Sequence, residues 1–338
     1  MVEPTQLLVL SPSSVLITGG RTGLVTVDLK TGTSREALRV GGGPGEFRSI
    51  GRVASCGSSV LLLDPALSRA SWFSATTLAF ERSMQMPTTV MSRGSIQDAW
   101  CSGDKVWFSI ERPPNVSNGT PRDSLMVYGV AVSGASIDSI GPFAGTSRIE
   151  RSRGQLRFSL RQAYTSPPQI LPGEPITVVY RDRNIVERYA PRGRTSQKTA
   201  TSIAPVALTA SHIATLRDSI RAWYDDQLTL QSYPESMKKS FRDILAEVID
   251  EITAPPSLPF VRSAVRVSDT PGLFMVLLND IPNARQKCFG LLTALGKLTR
   301  GRCVDASVGG VKAFAATRDM YYVVQANDEE AWLRRIPR

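Results

Sequence analysis

Gly41–Phe47 reads GGGPGEF, and the chain continues RSIGRVASCGSSVLLLDPALSRASWFS through Ser74. A glycine-rich loop closed by an aromatic residue opens three short apolar runs separated by turn residues. Glycine reaches positive φ without the steric cost other residues meet, and Pro44 stiffens the loop. Phe47 is placed to wedge its ring between two neighbouring sheets, so Gly41, Gly43, Pro44, Gly45 and Phe47 are assigned to a structural crossing. A phosphate loop is the competing reading. It needs Lys-Ser/Thr after its last glycine, or a strand–turn–helix context; here Pro44 and Glu46 intervene and a strand follows.

Working outward, six segments share one grammar: a weak strand, a polar turn, a strongly apolar strand, then one or two more. They run over about 5–39, 47–86, 95–143, 156–201, 260–305 and 308–337. The second strand of most is a continuous apolar run (VLLLD, VWFSI, ITVVY, LFMVLL, MYYVV), as in strands buried on both faces. Such a unit of about 40–50 residues, repeated, is the sequence form of a β-propeller blade. Radial repetition also lets 338 residues fold around small cores shared between neighbours. The expected fold is all-β, a six-bladed β-propeller forming one domain over 1–338.

Residues 209–252 break the pattern. Ile213, Leu216, Ile220, Trp223, Tyr224 and Leu228 recur at helical spacing, as do Met237, Phe241, Ile244, Leu245, Val248, Ile249 and Ile252. An α-helical hairpin is therefore expected as an insertion between blades 4 and 5, with Ser232 and Glu235 as a capping box for its second helix. Its apolar stripe needs a partner, either the propeller rim or another protein.

Four cysteines allow two pairings. Cys288 and Cys303 flank a hairpin turning at Thr293–Lys297, and Cys56 and Cys101 hold matching places in successive blades. Two disulfides would suit an oxidising compartment; four buried thiols are the alternative. No spacing is a zinc knuckle. The N-terminal MVEPTQLLVL lacks the grammar of a secretory signal, so either the chain is cytoplasmic or a leader has been removed. No apolar stretch reaches the ~18–20 residues needed to cross a bilayer.

The net charge of +10 favours anionic partners. Arg48, Arg52, Arg93, Arg262 and Lys312 lie at or near the starts of innermost strands, where they would line a central funnel and grip carboxylate or phosphate. Asp98 stands almost alone among them, which disfavours the oxygen cage calcium demands; no metal or cofactor is expected. A second basic run, Arg148, Arg151, Arg153, Arg157 and Arg161, could touch nucleic acid or an acidic polymer. It lacks interleaved stacking aromatics, so a solvated surface is preferred. His212 is the single histidine, and no Ser-His-Asp arrangement assembles around it; it reads as a capping or surface residue.

The GGGPGEF loop, the apolar strand after it and the sixfold grammar resemble NHL-repeat proteins. More narrowly, they resemble the bacterial six-bladed β-propeller proteins of the TolB-like group. The resemblance covers nearly the whole chain, through the helices at 209–252 and the following PFVRSAVRVSDTPGLFMVL. It implies an exported location; separately, a monomer is expected. The reading is a non-enzymatic protein that binds a protein or anionic ligand through its funnel or a face. A hydrolase or lyase in the central channel, or an RNA-binding face, are the alternatives.

Overall fold

In the computed structural model the described residues are 4–20, 23–91, 94–114, 119, 121–134, 136–162, 165, 167–171, 175–181, 185–189, 195–200, 206–252, 257–258, 261–268, 270, 272–278, 285–293, 295–307, 309–327 and 330–338. Antiparallel sheets follow one another along the chain. The first comprises β1 (Pro4–Ser11), β2 (Ser14–Gly19), β3 (Gly23–Asp28) and β4 (Ser34–Glu36). The second comprises β5 (Arg52–Cys56), β6 (Ser59–Asp64), β7 (Arg69–Ser74) and β8 (Phe80–Gln85). One helical turn, α1 (Thr88–Met91), leads to a five-stranded third sheet of β9 (Ser95–Ser102), β10 (Lys105–Arg112), β11 (Arg122–Ala131), β12 (Ile137–Arg153) and β13 (Leu156–Arg161). The fourth holds β14 (Gln169–Leu171), β15 (Ile176–Tyr180), β16 (Ile185–Tyr189) and β17 (Thr195–Ala200).

A two-stranded ribbon of β18 (Val206–Ala207) and β19 (Ser257–Leu258) brackets helices α2 (Ala210–Leu230) and α3 (Glu235–Asp250). Beyond it come the fifth sheet, β20 (Val261–Arg266), β21 (Leu273–Leu278), β22 (Gln286–Thr293) and β23 (Leu298–Asp305), and a sixth, β24 (Gly310–Ala316), β25 (Met320–Ala326) and β26 (Ala331–Pro337).

The apolar runs follow from what lies on each side of them. In β25, Tyr321 and Val323 pack with the fifth sheet, while Tyr322 and Val324 pack with Leu7 and Val15 of the first. In β21, Phe274 and Val276 meet the fourth sheet, and Met275 and Leu277 the sixth. Successive side chains leave opposite faces of a strand, and here both faces are covered, so apolar residues are favoured at both. Each consecutive pair of sheets shares one apolar cluster, and the cluster between sixth and first closes the ring.

Phe47 lies in the cluster between the first and second sheets, 1% exposed. Its loop is held by Glu46, whose carboxylate accepts from the Gly43 N–H at 2.8 Å, and by Arg69, which donates to the carbonyls of Gly42, Gly43 and Glu46. Gly45 takes φ +76°, which a side chain there would strain.

Both cysteine pairs are disulfides. Cys56–Cys101 ties β5 to β9, joining two sheets, and Cys288–Cys303 ties register partners on β22 and β23.

Two sequence expectations are corrected. The fourth segment was expected to begin at Leu156, but 156–161 form β13, which pairs with β12 through Arg148↔Arg161 to Arg153↔Leu156. The cause is the length of β12, whose C-terminal half runs past β11 and offers β13 an edge. The capping box expected at Ser232 and Glu235 is absent, because Pro234 is the N-cap of α3 and makes no side-chain cap bond. A capping box stands instead on α2: the His212 N–H donates to Thr209 Oγ1 at 3.3 Å, and the Thr209 N–H donates to His212 Nδ1 at 3.2 Å.

The helical stripe packs on the β12–β13 extension. Ile244, Leu245, Val248, Ile249 and Ile252 bury against Ile149, Phe158 and Leu160. Trp223, expected in that stripe, is 56% exposed.

Candidate functional site

A cavity of about 920 Å³ lies at the centre of the ring. Its described lining draws on the first strand of each of the six sheets, β1, β5, β9, β14, β20 and β24, joined by Ser59 of β6, Trp72 of β7, Arg82 of β8 and Lys105 of β10. The innermost strand of a sheet in a ring has no further strand beyond it, so its edge faces the axis. Residues near the strand starts (Gln6, Arg52, Gln97, Asp98, Gln169, Lys312) and near the strand ends (Cys56, Cys101, Arg266, Ala316) both reach the cavity, which therefore runs along the strands.

Six cations line it among the described residues: Arg52, Arg82, Lys105, Arg181, Arg266 and Lys312. They face a single carboxylate, Asp98. Lys105 is paired outward with Asp138, and Arg82 lies over the Trp72 ring at 4.5 Å. Arg52 donates through Nε to the Gln97 carbonyl and through Nη1 to the Gly51 carbonyl at 2.9 Å. Arg181 donates to the Arg262 carbonyl and to the Pro167 carbonyl at 2.8 Å. Backbone carbonyls orient the Arg52 guanidinium without neutralising it. Burial lowers the pKa of Arg52, with the charge of Asp98 opposing that shift.

Asp98 sits half-buried on β9. Its Oδ2 accepts from Gln169 Nε2 at 2.9 Å, and its N–H donates to Ser109 Oγ at 3.1 Å. Burial pushes its carboxyl up to about 6, against the opposing pull of Arg52, Arg181 and the Gln169 hydrogen bond.

Of the funnel residues read from sequence, Arg52 and Lys312 line the cavity. Arg48 and Arg262 are exposed and are not among the described lining residues. Arg48 donates its N–H to Asp64 at 2.7 Å, and Arg262 contributes its carbonyl to Arg181. Arg93 lies outside the described residues. Arg181, Arg266 and Gln169 escaped the sequence reading. Arg266 ends its strand, and Arg181 follows β15 in a turn, so a search confined to strand starts passes over both. Among the described residues no group of three His, Cys, Asp or Glu side chains is placed to hold a metal ion.

The second basic run is built differently. Arg148 makes two bonds from Nε to the Asp123 carboxylate, at 2.7 and 2.8 Å, and an ion pair from Nη2 at 2.6 Å. Arg151 pairs with Glu251, Arg153 with Glu247 at 2.6 Å, and Arg157 with Glu150 at 3.5 Å. Two of these pairs fasten the helical hairpin and its exit to β12.

No protein-family model matches the chain, and no curated protein matches it in sequence. Solved structures do. A Bacteroides thetaiotaomicron protein of unknown function is 10% identical with a TM-score of 0.53, over 100% of this chain and 70% of that one. The virginiamycin B lyase of Staphylococcus aureus is 11% identical with a TM-score of 0.41, over 100% and 85%. The WD40 repeats of RRP9 are 10% identical with a TM-score of 0.45, over 99% and 91%. The chain has a β-propeller fold, and no helix among the described residues is long and apolar enough to cross a membrane.

Proposed function

We propose that this chain is a six-bladed β-propeller that binds an anionic ligand in its central cavity. The blade count is supported by six sheets that each place a first strand on that cavity, and by the apolar cluster shared between the last sheet and the first. One domain over 1–338, with the helices of 209–252 inserted between blades 4 and 5, agrees with this order. The observation that carries the ligand class is the imbalance of the lining among the described residues: six cations, of which Lys105 is paired with Asp138, to one carboxylate. Arg52, whose hydrogen-bond partners are neutral carbonyls, keeps its full charge, and low-dielectric walls strengthen its reach. A volume of about 920 Å³ admits a small molecule or the tip of a larger one. The two disulfides support a place outside the cytoplasm.

Titration calorimetry with sulfate at pH 7.5 and low ionic strength tests the binding. Arg52→Met is expected to weaken sulfate about tenfold, the loss of one charge-assisted contact of ~1.4 kcal/mol. Lys312→Glu, at an exposed position, is expected to weaken it at least as much while leaving the circular dichroism spectrum unchanged. Unaltered sulfate affinity in both variants would remove the anionic cavity from consideration.

A further inference from the structure

The cationic wall accounts for attraction, but not for a carboxylate set in its midst. Asp98 has one oxygen engaged by Gln169; its other oxygen, Oδ1, takes no hydrogen bond among the described residues. Neither Arg52 nor Arg181 closes an ion pair with it, although both influence it through space. Arg52 likewise uses Nε and Nη1 on carbonyls and leaves Nη2 without a hydrogen-bond partner among the described residues. An open acceptor and an open charged donor therefore share one stretch of cavity wall, from the adjacent strands β5 and β9.

We propose that Asp98 is the selectivity residue of this cavity, and that the ligand is a hydroxy acid: an anion held by Arg52 and its neighbours, with a hydroxyl beside it donating to Asp98 Oδ1. This rests on the anionic-ligand reading above and narrows it. A bare anion meets Asp98 as a like charge, whereas a hydroxyl turns the same group into a hydrogen-bond partner. An ammonium group would also satisfy Asp98. It would do so within reach of the Arg52 and Arg181 charges, so a neutral donor suits the site better than a zwitterion. At pH 7.5 the carboxyl, though raised by burial, is ionised and accepts only. A site built to accept from a ligand hydroxyl rejects the analogue lacking it more strongly than a hydrophobic pocket rejects a size change.

Three six-carbon acids separate the possibilities: gluconate with hydroxyls, hexanoate without, and norleucine with an ammonium. Wild-type protein at pH 7.5 is expected to bind gluconate about tenfold more tightly than hexanoate, with norleucine no tighter than hexanoate. Asp98→Ala is expected to abolish that preference and to strengthen sulfate by about tenfold as the like charge disappears. Asp98→Asn serves for the sulfate arm if the alanine variant does not fold. Equal binding of gluconate and hexanoate, with sulfate still lost in Arg52→Met, would overturn the selectivity proposal and leave the anionic cavity standing. Preference for norleucine would overturn the hydroxyl assignment. Failure of sulfate, gluconate and hexanoate alike would end both readings.

Discussion

Two arginine-rich regions of this molecule look alike in sequence and differ in what surrounds them. On β12 and β13, Arg148, Arg151, Arg153 and Arg157 each meet a carboxylate: Asp123, Glu251, Glu247 and Glu150. In the cavity, Arg52 meets backbone carbonyls. A carboxylate cancels a guanidinium's charge; a carbonyl only aims it. The first region is a clamp, in which Arg151 and Arg153 secure the helical hairpin to β12 while Arg148 and Arg157 tie β12 to β11 and β13; in the second, Arg52 retains charge for the proposed ligand. Density of arginine alone says nothing about which of the two a region will be.

The contrast can be broken most forcefully at Arg148. Arg148→Met leaves the Asp123 side chain, 0% exposed, without its bidentate partner. Removing one member of a buried pair strands the other charge, so a loss of about 3 kcal/mol in urea unfolding is expected. A loss below 1 kcal/mol would mean the pair is no clamp.

A smaller effect of opposite sign is expected in the cavity. Asp98 has a folded-state pKa raised from 3.8 to about 6. Between those values the folded state binds more protons than the unfolded one, so the ionised carboxyl opposes folding and wild-type stability falls as pH rises through that window. Asp98→Asn removes the penalty. It is expected to be more stable than wild type by about 1–2 kcal/mol at pH 7.5, water in the cavity moderating the full shift, and to gain nothing at pH 3.5. Thermal melts of both proteins at the two pH values decide this; an equal difference at both would exclude Asp98 as the cause.

The smallest effect belongs to the outer end of the clamp. Arg153 and Glu247 are both about half exposed, at 51% and 52%. Such pairs contribute roughly 0–1 kcal/mol, so Arg153→Ala should shift the unfolding midpoint little, and less still in 0.5 M salt. A loss matching that of Arg148→Met would show that exposure does not grade the clamp.

The ring of sheets was legible because its cause is local. A strand flanked by sheets on both faces favours apolar residues on both, and the runs at Val60–Leu63, Leu273–Leu278 and Tyr321–Val324 record that directly. Cys288 and Cys303 could be paired from the short hairpin between them. The edge of β12 that captures β13 was not legible, since LRFSLR suits the start of a new sheet equally well. The role of Pro234 as helix cap was missed because a Ser-x-x-Glu spacing starting two residues earlier, at Ser232, competed with it.

The cavity was legible only in part, for a related reason. Arg52 could be placed because it begins a strand, whereas Arg48, four residues earlier, faces away. Its companions are far off along the chain: Gln169 is 71 residues from Asp98, and Arg181 lies 81 residues from the carbonyl of Arg262 that orients it. Hydrophobic alternation, glycine turns and cysteine spacing are properties of neighbouring residues, so the string of amino acids already settles the succession of sheets, β13 apart. Which cations are cancelled and which stay open depends on counter-charges brought alongside when the ring closes. Coulomb interactions act through space rather than along the backbone, and only the tertiary structure could decide them.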